Sequence, residues 1–156
     1  MIAIDIPGFG ALELRHCVAD FSGTLSVDGC LVDGVRERLA RLARQLEVHV
    51  LTSDTHGRAR EALAGQPGTL RILEGESHEL QKQQYVAHLG AAGVVAIGNG
   101  NNDVAMLQAA RVGIAVCGVE GCSSAAAGAA AVLVTSPLDA LDLLLHPKRL
   151  TATLRR

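Results

Sequence analysis

The chain has 156 residues, 49% of them hydrophobic but only 2% aromatic. This suits one domain, residues 1–156, with a core filled by Val, Leu, Ile and Ala. A formal net charge of −2 leaves no basic footprint for nucleic acid; Lys148, Arg149, Arg155 and Arg156 make only a modest patch. No run reaches the ~18 apolar residues of a membrane span, and MIAIDIPGFG has no basic region to mark a signal peptide, so a soluble, cytoplasmic protein is expected.

MIAIDI and LELRHCVAD both alternate, and PGFG separates them. This predicts an N-terminal β-hairpin whose second arm runs on into the core and ends at Asp20. Val35, Leu39, Leu42 and Leu46 then fall at helical spacing behind Asp33, a candidate N-cap. VHVLT predicts a buried strand ending at Thr52, followed by a short helix over about His56 to Leu63 and a strand at TLRILE. SHELQKQQYVAHLG reads as a helix with Gly90 near its C-cap. GVVAIG, VGIAV and AVLVT read as strands. NNDVAMLQAA, CSSAAAGAA and PLDALDLLL read as helices, the last with Pro137 at its start. Strands alternating with helices through short loops predict an α/β, Rossmann-like fold: a parallel sheet with helices on both faces.

In open sheets of this kind, ligands bind beyond the carboxyl ends of the strands. The unusual polar residues fall there. Asp20 and Ser22 follow the first core strand, and Thr52, Ser53 and Asp54 the second. Asn99, Asn101, Asn102 and Asp103 follow GVVAIG, and Lys82 lies on the helix leading into it. Each has a plain alternative: a turn cap, a strand-end hydroxyl, a solvated lysine. Together they suit phosphoryl transfer. A carboxylate attacks phosphorus, Mg²⁺ offsets the repulsion, and a hydroxyl and an ammonium bind the phosphate oxygens.

DFSGTL, VLTSD, Lys82 and GNGNNDVAML resemble, in order, the four motifs of the haloacid dehalogenase superfamily. They are more narrowly similar to its soluble branch related to the phosphorylation domain of P-type ATPases, where the fourth motif reads GDGxND. The resemblance runs from about Val18 to Val134. It implies that Asp20 is a nucleophile that becomes phosphorylated, that the Ser22 carbonyl ligates Mg²⁺, and that Thr52 and Lys82 bind phosphate. Ser53 and Asn102 complete the candidate substrate-binding set, and Asn99 and Asp103 the metal set. Two residues depart from the pattern. Ser22 stands where many phosphatases of the superfamily carry a general acid–base Asp, whose loss typically costs about 10²–10⁴-fold in rate. Asn99 stands where the first Asp of the fourth motif is expected, so the ion meets a neutral oxygen.

About thirty residues separate Asp20 from Thr52, and about thirty separate Thr52 from Lys82. That leaves no room for the cap domain found in many superfamily members. The expectation is an open site that takes a phosphorylated small molecule or a phosphoprotein, or one lidded by a second copy in a homo-oligomer. The chain lacks the nucleotide-binding insertion and membrane helices of a transport ATPase. A Mg²⁺-dependent phosphatase favouring good leaving groups is expected. The alternative is a weakly active or inactive module that binds phosphate and Mg²⁺. GNGNND lacks the third glycine of a dinucleotide loop, and the acidic pair of a receiver domain is missing. The four cysteines form no CxxC pair, the six histidines no HxxxH pair, and both sets read as packing or surface residues.

Overall fold

The computed structural model describes residues 1–156. Strands β1 (Ile2–Ile6) and β2 (Gly10–Leu14) pair antiparallel as a two-stranded sheet. Strand β3 (His16–Asp20) follows after Arg15 but belongs to a different sheet. At Arg15 the chain changes partners: its N–H donates to the Gly93 carbonyl and its own carbonyl accepts from Glu47. The alternation slips by one residue here. Leu12 and Leu14 share a core with Cys17 and Ala19, whereas Val18 faces the other side of the sheet. The single arm read from Leu12 to Asp20 is therefore two strands in two sheets.

The main sheet has six strands. Besides β3 they are β6 (Glu47–Thr52), β7 (Thr69–Ile72), β8 (Val94–Gly98), β9 (Val112–Val116) and β10 (Val132–Val134). Their order is β10-β9-β8-β3-β6-β7, and every pairing is parallel. The chain adds strands to one side of β3 and then, from β8, to the other. The direction of winding reverses between β3 and β8, and at such a switch point the flanking loops diverge and leave a crevice.

Both faces are covered. Helices α1 (Val35–Leu42) and α6 (Pro137–Leu145) bury Leu39, Leu42, Leu141 and Leu144 in the larger core, with the hairpin and α7 (Pro147–Leu154) beside them. Arg38 binds both oxygens of Asp142, at 2.8 and 3.1 Å, and so fastens α1 to α6. On the other face α3 (His78–Leu89), α4 (Val104–Ala109) and α5 (Ser124–Ala129) bury Val86, Met106, Leu107 and Ala126. β8, covered on both sides, is buried along its whole length, which is why it reads as an unbroken apolar run. No helix is long and apolar enough to cross a membrane.

The segments that flank the site are short. Between β3 and α1 stands a small antiparallel hairpin, β4 (Ser26–Val27) and β5 (Cys30–Leu31). Its turn residues Asp28 and Gly29 both have positive φ, as a tight two-residue hairpin turn requires. Between β6 and α3 come only the single-turn helix α2 (Ala59–Ala62) and β7. Neither stretch holds any further helix or strand. Four local expectations differ from the structure. Helix α1 stops at Leu42, so Leu46 lies in the turn beyond it. The helix over His56 to Leu63 shrinks to α2. The N-cap of α1 is Gly34, with no side-chain cap from Asp33. Helix α7 adds to the elements expected.

Candidate active site

Asp20 is the last residue of β3, and Asn99 follows the last residue of β8. The two therefore flank the switch point. Thr52 ends β6, one residue beyond the register partner of Asp20.

Lys82 enters this edge from α3. On α3, Lys82 and Val86 are the buried residues, one turn apart, with Tyr85 and Leu89 packed partly beside them. The long lysine stem passes through the smaller core, so the residue is fully buried and only its ammonium reaches polar groups. Nζ donates to Asp20 Oδ1 and to Asp103 Oδ1, each at 2.7 Å.

Asp103 closes the short 3₁₀ turn Asn101–Asp103 that leads into α4. Its second oxygen accepts from the backbone N–H groups of Asn99 and Gly100, each at 2.9 Å. A Cβ on Gly98 would lie 2.5 Å from Asp103 Cγ, so only glycine lets β8 end against this carboxylate.

Thr24 links the first motif to the fourth. Its hydroxyl lies 3.0 Å from Asn99 Oδ1 and 3.3 Å from Asp20 Oδ2, and its single proton is shared between them. The Asn99 amide nitrogen donates to the Gly121 carbonyl at 3.2 Å, which fixes the amide with its oxygen toward Thr24. Gly23, at φ +74°, lets the loop pass this amide: a Cβ there would meet Asn99 Nδ2 at 2.7 Å. The turn itself hangs on the Phe21 carbonyl, which accepts from the N–H groups of Thr24, Leu25 and Ser26 and from the Ser26 hydroxyl. The Ser22 carbonyl accepts no hydrogen bond from the chain, and the Ser22 hydroxyl is buried without a partner.

Of the residues expected at the site, Asp20, Lys82, Asp103 and Asn99 are joined through hydrogen bonds, with Thr24 added as a member that sequence reasoning passed over. Thr52 is buried at the neighbouring strand tip, where its oxygen accepts from the Asp54 N–H at 2.9 Å and keeps its own proton free to donate. Ser53 lies 3.4 Å from the Thr55 hydroxyl, and Asp54 Oδ1 caps α2 through the N–H groups of Arg58 and Ala59, each at 2.9 Å. Asn101 and Asn102 are exposed on the 3₁₀ turn.

The electrostatics are unbalanced. One ammonium stands between two buried carboxylates. Asp103 accepts from Lys82 and two backbone N–H groups, and Asp20 from Lys82, a shared Thr24 proton and, more weakly, the Phe21 backbone. Burial pushes the Asp20 carboxyl up to about 7, with the Asp103 charge adding to the rise and Lys82 opposing it. Burial works against the Lys82 ammonium as well, but Asp20 and Asp103 outweigh it and hold that group above its ordinary value. The site thus sets one positive charge against two carboxylates. The oxygens there, from the Asp20 carboxylate and the Asn99 amide, are hard donors of the kind Mg²⁺ takes, and the Ser22 carbonyl is a third. Asp103 Oδ2 takes two backbone N–H groups, whereas Oδ1 accepts from Lys82 alone and keeps a lone pair beside the others.

A model of the haloacid dehalogenase-like hydrolases matches residues 60–132, the stretch that carries Lys82, Asn99 and Asp103. An uncharacterised protein of Methanocaldococcus jannaschii is 48% identical over 62 residues, 40% of this chain and 67% of that one. The chain belongs to the haloacid dehalogenase-like hydrolases. Solved structures share this family's phosphatase fold. One is the 3-deoxy-D-manno-octulosonate 8-phosphate phosphatase of Moraxella catarrhalis, determined with a magnesium ion, a phosphate ion and KDO. It is 18% identical, with a TM-score of 0.62 over 92% of this chain and 94% of that one. Another is a zinc-transporting PIB-type ATPase, 24% identical, with a TM-score of 0.60 over 78% of this chain and 20% of that one. At these identities the likeness is one of fold.

Proposed function

We propose that this haloacid dehalogenase-like hydrolase is a Mg²⁺-dependent phosphatase that works through an aspartyl-phosphate on Asp20. The observation that carries the reading is the buried Lys82 ammonium held 2.7 Å from both Asp20 and Asp103 at the switch point. Asp20, Asn99, Asp103 and the Ser22 carbonyl would hold the ion. When bound, it supplies the positive charge that lets a phosphate dianion approach a carboxylate. An Asp20 oxygen bonds to phosphorus as the bond to the leaving group breaks, and the leaving group departs with the electron pair. The Thr52 hydroxyl and the Lys82 ammonium donate to the phosphoryl oxygens as charge moves onto them. Water then attacks phosphorus, the bond to Asp20 breaks, and inorganic phosphate leaves with the carboxylate restored.

Ser22 gives no proton to the leaving group near neutral pH. The substrates are therefore those whose leaving group needs none: acyl phosphates and activated aryl phosphates, carried on a small molecule or a phosphoprotein of the cytoplasm. The absence of an inserted cap favours an open site, and Ser22 places the chain nearer the branch related to P-type ATPases. A panel of phosphate esters graded by leaving-group pKa tests this. Rates should fall steeply as that pKa rises, and equal rates across the panel would overturn the preference.

The unpartnered Ser22 hydroxyl and the neutral Asn99 also favour a second reading, a module that is phosphorylated on Asp20 and turns over little. Rapid-quench kinetics separate the two. The phosphatase releases many phosphates per chain, whereas the module stops near one.

A further inference from the structure

A second polar cluster lies at the opposite end of the same strands. His16 opens β3 and is the register partner of Glu47, which opens β6; His49 follows Glu47 by two residues. Alternation puts Glu47 and His49 on one face of the sheet, and the pairing puts His16 beside them. His16 Nδ1 stands 3.2 Å from His49 Nε2 and 3.5 Å from Glu47 Oε2. The candidate ligand atoms of all three residues lie within 4.8 Å of one another. The rise along β3 separates this cluster from Asp20 by roughly 13 Å.

A tetrahedral zinc ion with ligand bonds near 2.0–2.1 Å sets its ligand atoms about 3.3 Å apart. The two distances at His16 Nδ1 fall on either side of that value. The next shell fits too. The Tyr85 hydroxyl lies 3.0 Å from His49 Nδ1. With the ring proton on Nδ1 and donated to Tyr85, the Nε2 lone pair faces His16; metal-bound histidines are commonly oriented by such a partner.

We propose that His16, His49 and Glu47 form a Zn²⁺ site, with water in the fourth position. Two imidazoles and one carboxylate suit a borderline transition ion, whereas Mg²⁺ takes oxygen donors, so the two ends of the sheet select different metals. Entry is open: the Glu47 side chain is 74% exposed, and a cavity of about 230 Å³ borders Glu47 and His49. A bound ion ties the start of β3 to the start of β6 and therefore stabilises the fold.

The test is Zn²⁺ titration of the full chain, by calorimetry and thermal melting, with Mg²⁺ absent. One ion per chain and a raised Tm are expected, and both persist in Asp20→Asn. Binding weakens at least about tenfold in Glu47→Gln, an exposed change that spares the fold, and in His49→Gln. Tyr85→Phe costs roughly 10–100-fold. On the unaltered chain, Zn²⁺ shifts the ring-nitrogen resonances of His16 and His49. Unchanged affinity in Glu47→Gln, unmoved histidine resonances, or loss of the ion in Asp20→Asn alone would each overturn the proposal.

Discussion

The Thr24 hydroxyl lies 3.0 Å from the Asn99 amide oxygen and joins residues 75 apart in sequence. It fixes the loop after Asp20 against the loop after β8, the two loops that flank the switch point. Thr24→Val keeps the shape and removes the donor, leaving Asn99 Oδ1 and Asp20 Oδ2 without it. The expected cost is about 1 kcal/mol in stability and about tenfold in Mg²⁺ affinity. Urea unfolding and a calorimetric Mg²⁺ titration measure the two; no change in either would remove Thr24 from the site.

Lys82→Met leaves two buried carboxylates without their cation. Breaking a buried pair in this way costs about 3–5 kcal/mol. The loss should be largest at pH 8 and smaller at pH 5, where Asp20 takes up a proton and relieves the repulsion. Denaturation at the two pH values compares them, and an equal loss at both would mean that charge is not the cause.

The Asp20 carboxyl, at about 7 in the fold against 3.8 when free, binds its proton more tightly folded than unfolded. The sign follows directly. Its favourable contribution is complete below about pH 4 and is lost as pH rises to about 7. Without a divalent ion, the Tm should therefore fall over that window. Mg²⁺ favours the ionised form and should restore most of the loss, and Asp20→Asn should flatten this part of the curve. Melting curves with and without Mg²⁺ show whether the slope belongs to Asp20.

Ser22→Asp supplies the missing acid. Hydrolysis of simple sugar phosphates should rise by about 10²-fold or more, while acyl phosphates, which need no proton, change little. Steady-state rates on one substrate of each kind decide; an equal gain on both would point to something other than leaving-group protonation.

Much of the fold and of the candidate site is legible in the sequence. β8 and the motif after it stand out because an apolar run buried on both faces cannot alternate. Asp20, Asn99 and Asp103 are visible because each follows a strand. Thr24 is not visible, since a loop threonine gains its role from a partner 75 residues away. The change of partner at Arg15 is hidden because both flanking segments alternate, and only the pairing shows that the phase slips. Helix α7 escapes notice because Leu150 is its single buried residue and Pro147 looks like a stop. The pairing of His16 with His49 depends on the register of β3 against β6, which no spacing within one segment reveals.

The most direct measurement is acid quench of the chain with an acyl phosphate and Mg²⁺, followed by mass spectrometry of its peptides. The expected result is one phosphoryl group per chain on the peptide containing Asp20, formed and lost at rates that match turnover, and none in Asp20→Asn. Turnover by Asp20→Asn at the native rate, or phosphate release with no phosphorylated Asp20 at any quench time, would contradict the central claim.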